Sequence, residues 1–92
     1  MEKKKMQAVV SVVGKDMVGI LAKVSTVCAE KNANVVDVTQ AVLDGYFCMV
    51  MVIEIDQLTC ELFELQEVLR EKVEGMAIHV MHEDIFQAMH TI

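Results

Sequence analysis

The sequence has few cysteines, and none lie in the arrangement that metal or disulfide sites require. Its three cysteines, Cys28, Cys48 and Cys60, are widely spaced and form no C-x-x-C pair. This pattern argues against a disulfide framework and a zinc site, and it fits a reducing, cytoplasmic location. We predict that Cys28 and Cys48 are small core residues. Only Cys60, near a predicted helix start, is a candidate for a reactive thiol.

Positive charge and long apolar runs are also scarce. Eight basic residues against fourteen acidic ones give a formal charge of −6, which repels nucleic-acid phosphates. The run Lys3-Lys4-Lys5 is interpreted as a solvated leader. No apolar run approaches the ~20 residues of a membrane span, and residues 6–13 lack the features of a secretion signal. Neither nucleic acid nor a membrane is an expected partner.

Catalytic and metal-binding motifs are missing as well. No serine or threonine lies in a nucleophile elbow, and no carboxylate pair has a catalytic spacing. His79 and His82 are three positions apart in a predicted strand, so they should point to opposite faces and cannot chelate one metal as neighbours. We therefore predict no enzyme activity, no cofactor and no metal.

What the sequence does contain is enough apolar residues for one small core. A chain of 92 residues with 54% hydrophobic content predicts a single domain over 1–92. Within it, residues 1–5 are interpreted as a flexible leader and residues 83–92 as a C-terminal appendage. A domain this small buries a modest share of its surface, so self-association would add to its stability.

Hydrophobic patterning predicts the order β-α-β-β-α-β. Segments rich in β-branched residues predict strands at 6–13, 34–43, 46–55 and 76–82, with Asp44-Gly45 as a hairpin turn. Helical spacing begins at Ile20 and ends near Lys31-Asn32, where Asn32 suits a left-handed cap. This order is typical of the ferredoxin-like α/β (α+β) fold, a four-stranded antiparallel sheet with helices on one face.

The second helix is predicted after the third strand, with Asp56 or Thr59 as its cap and Gly75 at its end. Its apolar stripe comprises Leu58, Leu62, Leu65, Leu69 and Val73. A short terminal helix is predicted from Glu83 to His90.

The loop Val13-Gly14-Lys15-Asp16-Met17-Val18-Gly19-Ile20, followed by Asn34-Val35 at the next strand, resembles that of ACT domains. The resemblance spans nearly the whole chain. It is closest to the stand-alone, uncharacterised bacterial ACT domain proteins, through the G-K-D-x-x-G-I loop, the Tyr46-Phe47-x-Met49 strand and the tail Ile85-Phe86-Gln87-Ala88-Met89. The glycine pair is not a nucleotide P-loop, because Ile20-Leu21 follows the second glycine.

This resemblance implies a small-molecule site, typically for an amino acid, between the first loop of one subunit and the second strand of another. The implied ligand-binding residues are Gly14, Lys15, Asp16, Gly19, Ile20, Asn34 and Val35. Backbone N–H groups at a helix N-terminus favour a carboxylate, and Asp16 and Asn34 suit an ammonium group. Both glycines, Asp16 and Asn34 are equally compatible with plain turn roles. The family often has proline where this chain has Val18, so ligand selectivity does not carry over.

The resulting hypothesis is a regulatory module that responds allosterically to its ligand through a homodimer interface. The alternative is a ligand-free interaction subunit that docks on an enzyme or regulator, and the discriminating feature is whether Asp16 and Asn34 converge on a cavity. A homodimer is expected through the second strand, whose β-prone edge has no proline and carries one charge, Asp37. The third strand is apolar on both faces, although helices are expected to cover only one.

Overall fold

Strands and helices follow one another in the order predicted from the sequence. The computed structural model describes residues 6–15 and 18–90. Its elements are β1 (Gln7–Gly14), α1 (Ile20–Glu30), β2 (Asn34–Leu43), β3 (Tyr46–Glu54), α2 (Leu62–Lys72), β4 (Met76–His82) and α3 (Glu83–His90). Lys3-Lys4-Lys5 and Asp16 lie outside the described residues. The arrangement confirms the predicted ferredoxin-like fold.

The four strands form one antiparallel sheet in the order β2-β3-β1-β4, so β2 and β4 are its edges. Asp44 and Gly45 have φ of 50° and 82°, as the predicted two-residue hairpin turn requires. At this end of the sheet Gly14 of β1 lies opposite Phe47 of β3. At the other end Gln7 of β1 lies opposite Glu54, which in turn lies opposite Asn34 of β2.

Helices α1 and α2 pack on one face of this sheet and enclose the core. Asn32, with φ of 61°, follows α1 in the left-handed conformation, as predicted. The largest fully buried side chains of the core come from both layers: Val10, Val12, Val24, Met49, Met51, Ile53, Leu65, Leu69, Val73 and Ile78. The leucine stripe of α2 and the inward residues of the central strands therefore fill the same layer.

Helix α2 begins later than predicted, at Leu62. Neither Asp56 nor Thr59 caps it, and Leu58 lies in the preceding turn. The Thr59 N–H and hydroxyl instead donate to the Lys31 carbonyl oxygen, at 3.0 and 3.3 Å. The predicted cap residue is thus used to tie this connection to the end of α1, which a local helix pattern does not reveal.

The terminal helix α3 contacts β1 and β4 on the opposite face of the sheet. Val9 is only 2% exposed although it is not part of the core beneath α1 and α2. Phe86 and Met89 of α3 face the sheet across from Ser11. The two main helices share one face as predicted, and α3 adds partial cover over half of the other.

Candidate functional site

The loop predicted to bind a ligand joins β1 to α1. Gly19 is the N-cap residue, directly before the first residue of α1. Gly19 has φ of 71°, and its carbonyl oxygen accepts from the Lys23 N–H at 3.0 Å. Among the described residues, no side chain caps the helix, and its first turn contains no acidic residue. The backbone N–H groups of the first turn are therefore the donors that this end of α1 offers to an anion.

The two glycines of the loop have different local reasons to lack a side chain. A Cβ at Gly14 would overlap Sδ of Met76, the first residue of β4. A Cβ at Gly19 would meet no described atom, so only its positive φ disfavours other residues. Packing explains Gly14 without a ligand, and a side chain at Gly19 would strain the backbone without contacting any residue that the structure describes.

Two other predicted residues lie at the same end of the sheet. The Lys15 ammonium is 5.7 Å from the centre of the Tyr46 ring, within the range of a cation–π contact. Ile20 is 4% exposed and packs in the core, so only its backbone is available to a ligand. A shallow depression of about 600 Å³ lies beside Lys15 and Tyr46 and extends to Gly75.

Asn34 and Val35 lie at the opposite end of the sheet. Nδ2 of Asn34 donates to Oε1 of Glu54 at 3.1 Å, and both residues line an open cleft of about 450 Å³ with Asp56. Val35 packs partly against the core. Asp56 carboxylate oxygens accept from the Met6 N–H at 3.2 and 3.3 Å.

The two predicted halves of the site do not meet within one chain. Gln7, which is in register with Asn34 through Glu54, is seven residues from Gly14 along β1. At the rise of an antiparallel strand this separation is roughly 24 Å. Asp16 lies outside the described residues. A site that used both the loop and Asn34 would need two chains.

The two sheet edges differ in how their outward backbone groups are bonded. On β4, Nε of Arg70 donates to the Ile78 carbonyl oxygen at 3.0 Å, and the Val80 N–H donates to Oε1 of Gln66 at 2.9 Å. Sequence reasoning missed these two α2 residues. Their spacing of four beside the leucine stripe was the available signal, because it places them on one side of the helix.

On β2, the Val38 N–H donates to Oδ1 of the adjacent Asp37 at 2.9 Å. The pairing with β3 shifts between Val35 and Asp37, which places a bulge at Val36. From Thr39 to Leu43 no side chain in the described part of the chain bonds to the strand backbone. The bulge was not predicted, and it protects only the first part of an otherwise open edge.

A family model for the ACT domain matches residues 6–83. The chain belongs to the ACT domain family. A UPF0237 protein of Listeria monocytogenes is 48% identical over 89 residues, which span 95% of this chain and all of that relative. The predicted resemblance to stand-alone ACT domain proteins is confirmed.

Solved structures agree with this assignment. The ACT domain protein from Streptococcus pneumoniae is 35% identical, with a TM-score of 0.75 over 94% of this chain and 99% of that one. The ACT domain from GTP pyrophosphokinase of Chlorobium tepidum is 26% identical, with a TM-score of 0.54 over 86% of this chain and 99% of that one. The ACT fold is thus found both in a free-standing protein and in an enzyme.

The cysteines of this ACT domain lie in three different environments. Cys28 is buried in the core, as predicted, and burial raises the pKa of its thiol to about 11. Cys48 is half-buried and pairs in register with Val13 and Ala41. Burial is the largest cause that raises the pKa of the Cys60 thiol, with Lys31 opposing it, so the expectation of a reactive thiol there is not supported.

His79 and His82 lie on opposite faces of the sheet. His79 lines a cleft with Ser11, whereas His82 pairs with Ala8, whose side chain belongs to the core. Within residues 6–15 and 18–90, no group of three or more His, Cys, Asp and Glu side chains is placed to hold a metal. None of the helices in those ranges has the length and apolar character to cross a bilayer.

Proposed function

We propose that this ACT domain is a regulatory module that binds an amino acid at a site shared by two copies of the chain, paired through β2. The unequal protection of the two sheet edges carries the proposal. The β4 edge is bonded by Arg70 and Gln66, while β2 offers free backbone groups between Thr39 and Leu43. A second β2 strand is the partner that such an edge accepts most directly.

The proposed pairing is antiparallel about a two-fold axis near Thr39, and it extends the two sheets into one of eight strands. In this arrangement Asn34 of one copy lies beside the hairpin end of β2 in the other. The hairpin end is also the end at which β1 reaches Gly14. The pairing therefore narrows the roughly 24 Å gap between the two halves of the site.

The polar groups on the two sides of the proposed site, the loop before α1 in one copy and the start of β2 in the other, suit a zwitterion. The backbone N–H groups of Gly19, Ile20 and the following residues, which no described side chain caps, would take the carboxylate, because the positive end of the helix dipole lies there. Asp16 and the amide oxygen of Asn34 would take the ammonium group. Gly14, Lys15 and Val35 would line the walls, Lys15 from its place over Tyr46 and Val35 through its backbone.

Ligand binding would act on the dimer. A ligand that contacts both copies stabilises the paired arrangement by its differential affinity for that state. A partner protein, an enzyme or another regulator, would then recognise the paired form. The bonded β4 edge and the exposed outer sides of α1 and α2 remain available for such a contact.

A thermal-shift screen against the proteinogenic amino acids tests the ligand. A ligand at a hundred times its dissociation constant should stabilise the fold by ~2.7 kcal/mol, a shift of several degrees for a domain of this size. A panel with no response would reject the amino-acid site and favour the ligand-free interaction subunit.

Complementation tests whether two copies share the site. Asn34→Ala and Asp16→Ala chains should each fail to bind, but mixed dimers should regain about a quarter of the sites, because each mixed dimer keeps one intact pair of halves. Isothermal titration of the mixture against each variant alone measures this. A mixture that binds no better than its components would contradict the shared site.

A further inference from the structure

The second face of the sheet contains a cleft that the proposed amino-acid site does not use. It lies between α3 and the sheet, has a volume of about 430 Å³, and is lined by Ser11, Val50, His79, Met81, Phe86 and Met89. These residues come from β1, β3, β4 and α3. The size and the concave shape are those of a small-molecule site.

Two polar side chains lie together on the sheet side of the cleft. Ser11 of β1 is in register with His79 of β4 and with Val50 of β3, so the three side chains are neighbours on one face. Directly paired residues have Cβ atoms about 4.5–5.5 Å apart. Within the described residues, neither the Ser11 hydroxyl nor the His79 ring hydrogen-bonds another side chain or the backbone. Both can donate to an oxygen acceptor.

The rest of the described lining is apolar and rich in polarisable groups. Met81 is half-buried on the sheet, Phe86 is half-buried on α3, and Met89 is 65% exposed at the mouth. Thioether sulfurs contact aromatic rings favourably, and a phenyl ring prefers an offset or edge-on aromatic neighbour. Val9, two residues from Ser11 on the same face of the sheet, is only 2% exposed, so the cleft is confined to the Ser11 end.

We propose that this cleft binds a monocyclic aromatic compound that carries a carboxylate or another single oxygen acceptor. The ring lies among Met81, Phe86 and Met89, and the oxygen accepts from Ser11 and His79. One apolar ring with one acceptor matches a lining in which the two polar side chains among the described residues are adjacent. This site is separate from the proposed amino-acid site and does not depend on it.

Methionine methyl NMR of the full chain, with benzoate as the probe, tests the proposal. Benzoate should shift the ε-methyl signals of Met81 and Met89 in a saturable way and leave those of the core residues Met49 and Met51 in place. Ser11→Ala should weaken benzoate binding about fivefold, the effect of one lost hydrogen bond. Ser25→Ala is the matched control, because it makes the same change on α1, outside the cleft.

A second variant, which fills the cleft with a larger side chain, keeps the test decisive if Ser11→Ala perturbs β1. Val50→Phe adds a ring from a partly exposed position and should abolish the benzoate shifts. Benzoate shifts that persist in both Ser11→Ala and Val50→Phe would overturn the proposal, as would a titration that does not saturate. Met81 and Met89 signals that move on dilution of the protein without benzoate would also overturn it, because a second copy of the chain would then occupy the cleft.

Discussion

The two outer strands of the sheet leave their outward backbone groups in opposite states. On β4, Arg70 and Gln66 reach from α2 to the Ile78 carbonyl and the Val80 N–H. On β2, the one such bond in the described residues is made within the strand, between Asp37 and Val38. The same small fold therefore closes one edge and leaves the other open.

The difference shows that a helix can stabilise a core and protect an edge at once. Leu65 and Leu69 of α2 are buried in the core, while Gln66 and Arg70, one position later in each turn, bond the neighbouring strand edge. An unprotected edge strand is the one that a second chain can pair with most directly. The comparison thus predicts pairing through β2 and not through β4.

The largest effect is expected from Gln40→Pro, which should weaken the dimer that pairs through the open β2 edge. The Val38 N–H points away from β3, and the backbone alternates, so the Gln40 N–H points outward as well. Proline there removes an edge donor from each copy without breaking the bonds to β3. We expect dimer affinity to fall about a hundredfold, measured by light scattering across a dilution series.

Gln40→Ala is the matched control for this change and should remain dimeric. A parent protein that is monomeric at micromolar concentration, or a Gln40→Pro variant with parental dimer affinity, would contradict pairing through β2.

The next largest effect is expected on stability, from a change at the contact between Gly14 and Met76, the first residue of β4. Gly14→Ala places a Cβ against Sδ of Met76, so we expect the free energy of unfolding to fall by about 2 kcal/mol while dimer affinity is unchanged. Urea denaturation measures the loss. Adding Met76→Ala to Gly14→Ala should cost less than the sum of the two single changes, and strict additivity would rule out the contact.

A smaller effect is expected from opening the protected edge. Gln66→Met keeps the volume of the side chain but leaves the Val80 N–H without its acceptor. The free energy of unfolding should fall by about 1–2 kcal/mol, and species larger than a dimer should form through the exposed β4 edge. Glu71→Gln, at an exposed position of α2, is the control. A Gln66→Met variant that stays dimeric would show that this bond does not block association.

The smallest effect is expected at Asp37. Asp37→Ala removes an exposed hydrogen bond, so stability should fall by about 0.5 kcal/mol. In the proposed dimer the two Asp37 carboxylates would lie on either side of the two-fold axis, two residues from Thr39, and their removal should tighten the dimer, more at low salt than at high salt. Sedimentation at two salt concentrations measures this, and a looser dimer at low salt would place the axis elsewhere.

Elements bounded by local signals were predictable from the sequence. β2 and β4 have the predicted bounds, because Asp44-Gly45, Asn32 and Gly75 each adopt positive φ near an element boundary, and α3 also has its predicted bounds. Such positions impose a conformation that depends little on the rest of the chain. The ACT resemblance, which rested mainly on the loop from Val13 to Ile20, was confirmed.

Features that depend on distant contacts were not predictable. Thr59 bonds the end of α1 and does not cap α2, and Gly14 is constrained by Met76, which is 62 positions later. The bulge at Val36 arises from the pairing with β3. No local sequence pattern encodes these contacts, because each depends on which distant residue the fold places next to the residue in question.

The candidate site was predictable in its residue types but not in its assembly. The sequence placed Gly19 at the start of α1 and Asn34 at the start of β2, and both lie there. The distance between them along the sheet follows only from the register in which β1 and β2 pair with β3. The ligand-binding roles, including that of Asp16, remain predictions for the variants above.

The separation of Asn34 from the Gly14 end has a consequence for how the protein would sense its ligand. In the proposed dimer a lone chain has half of each binding surface and no complete receptor. Below the dimer dissociation constant, the number of receptors grows with the square of protein concentration. The cellular abundance of the chain would then set its sensitivity, so the module would report the product of two signals, how much ligand is present and how much of the protein has been made.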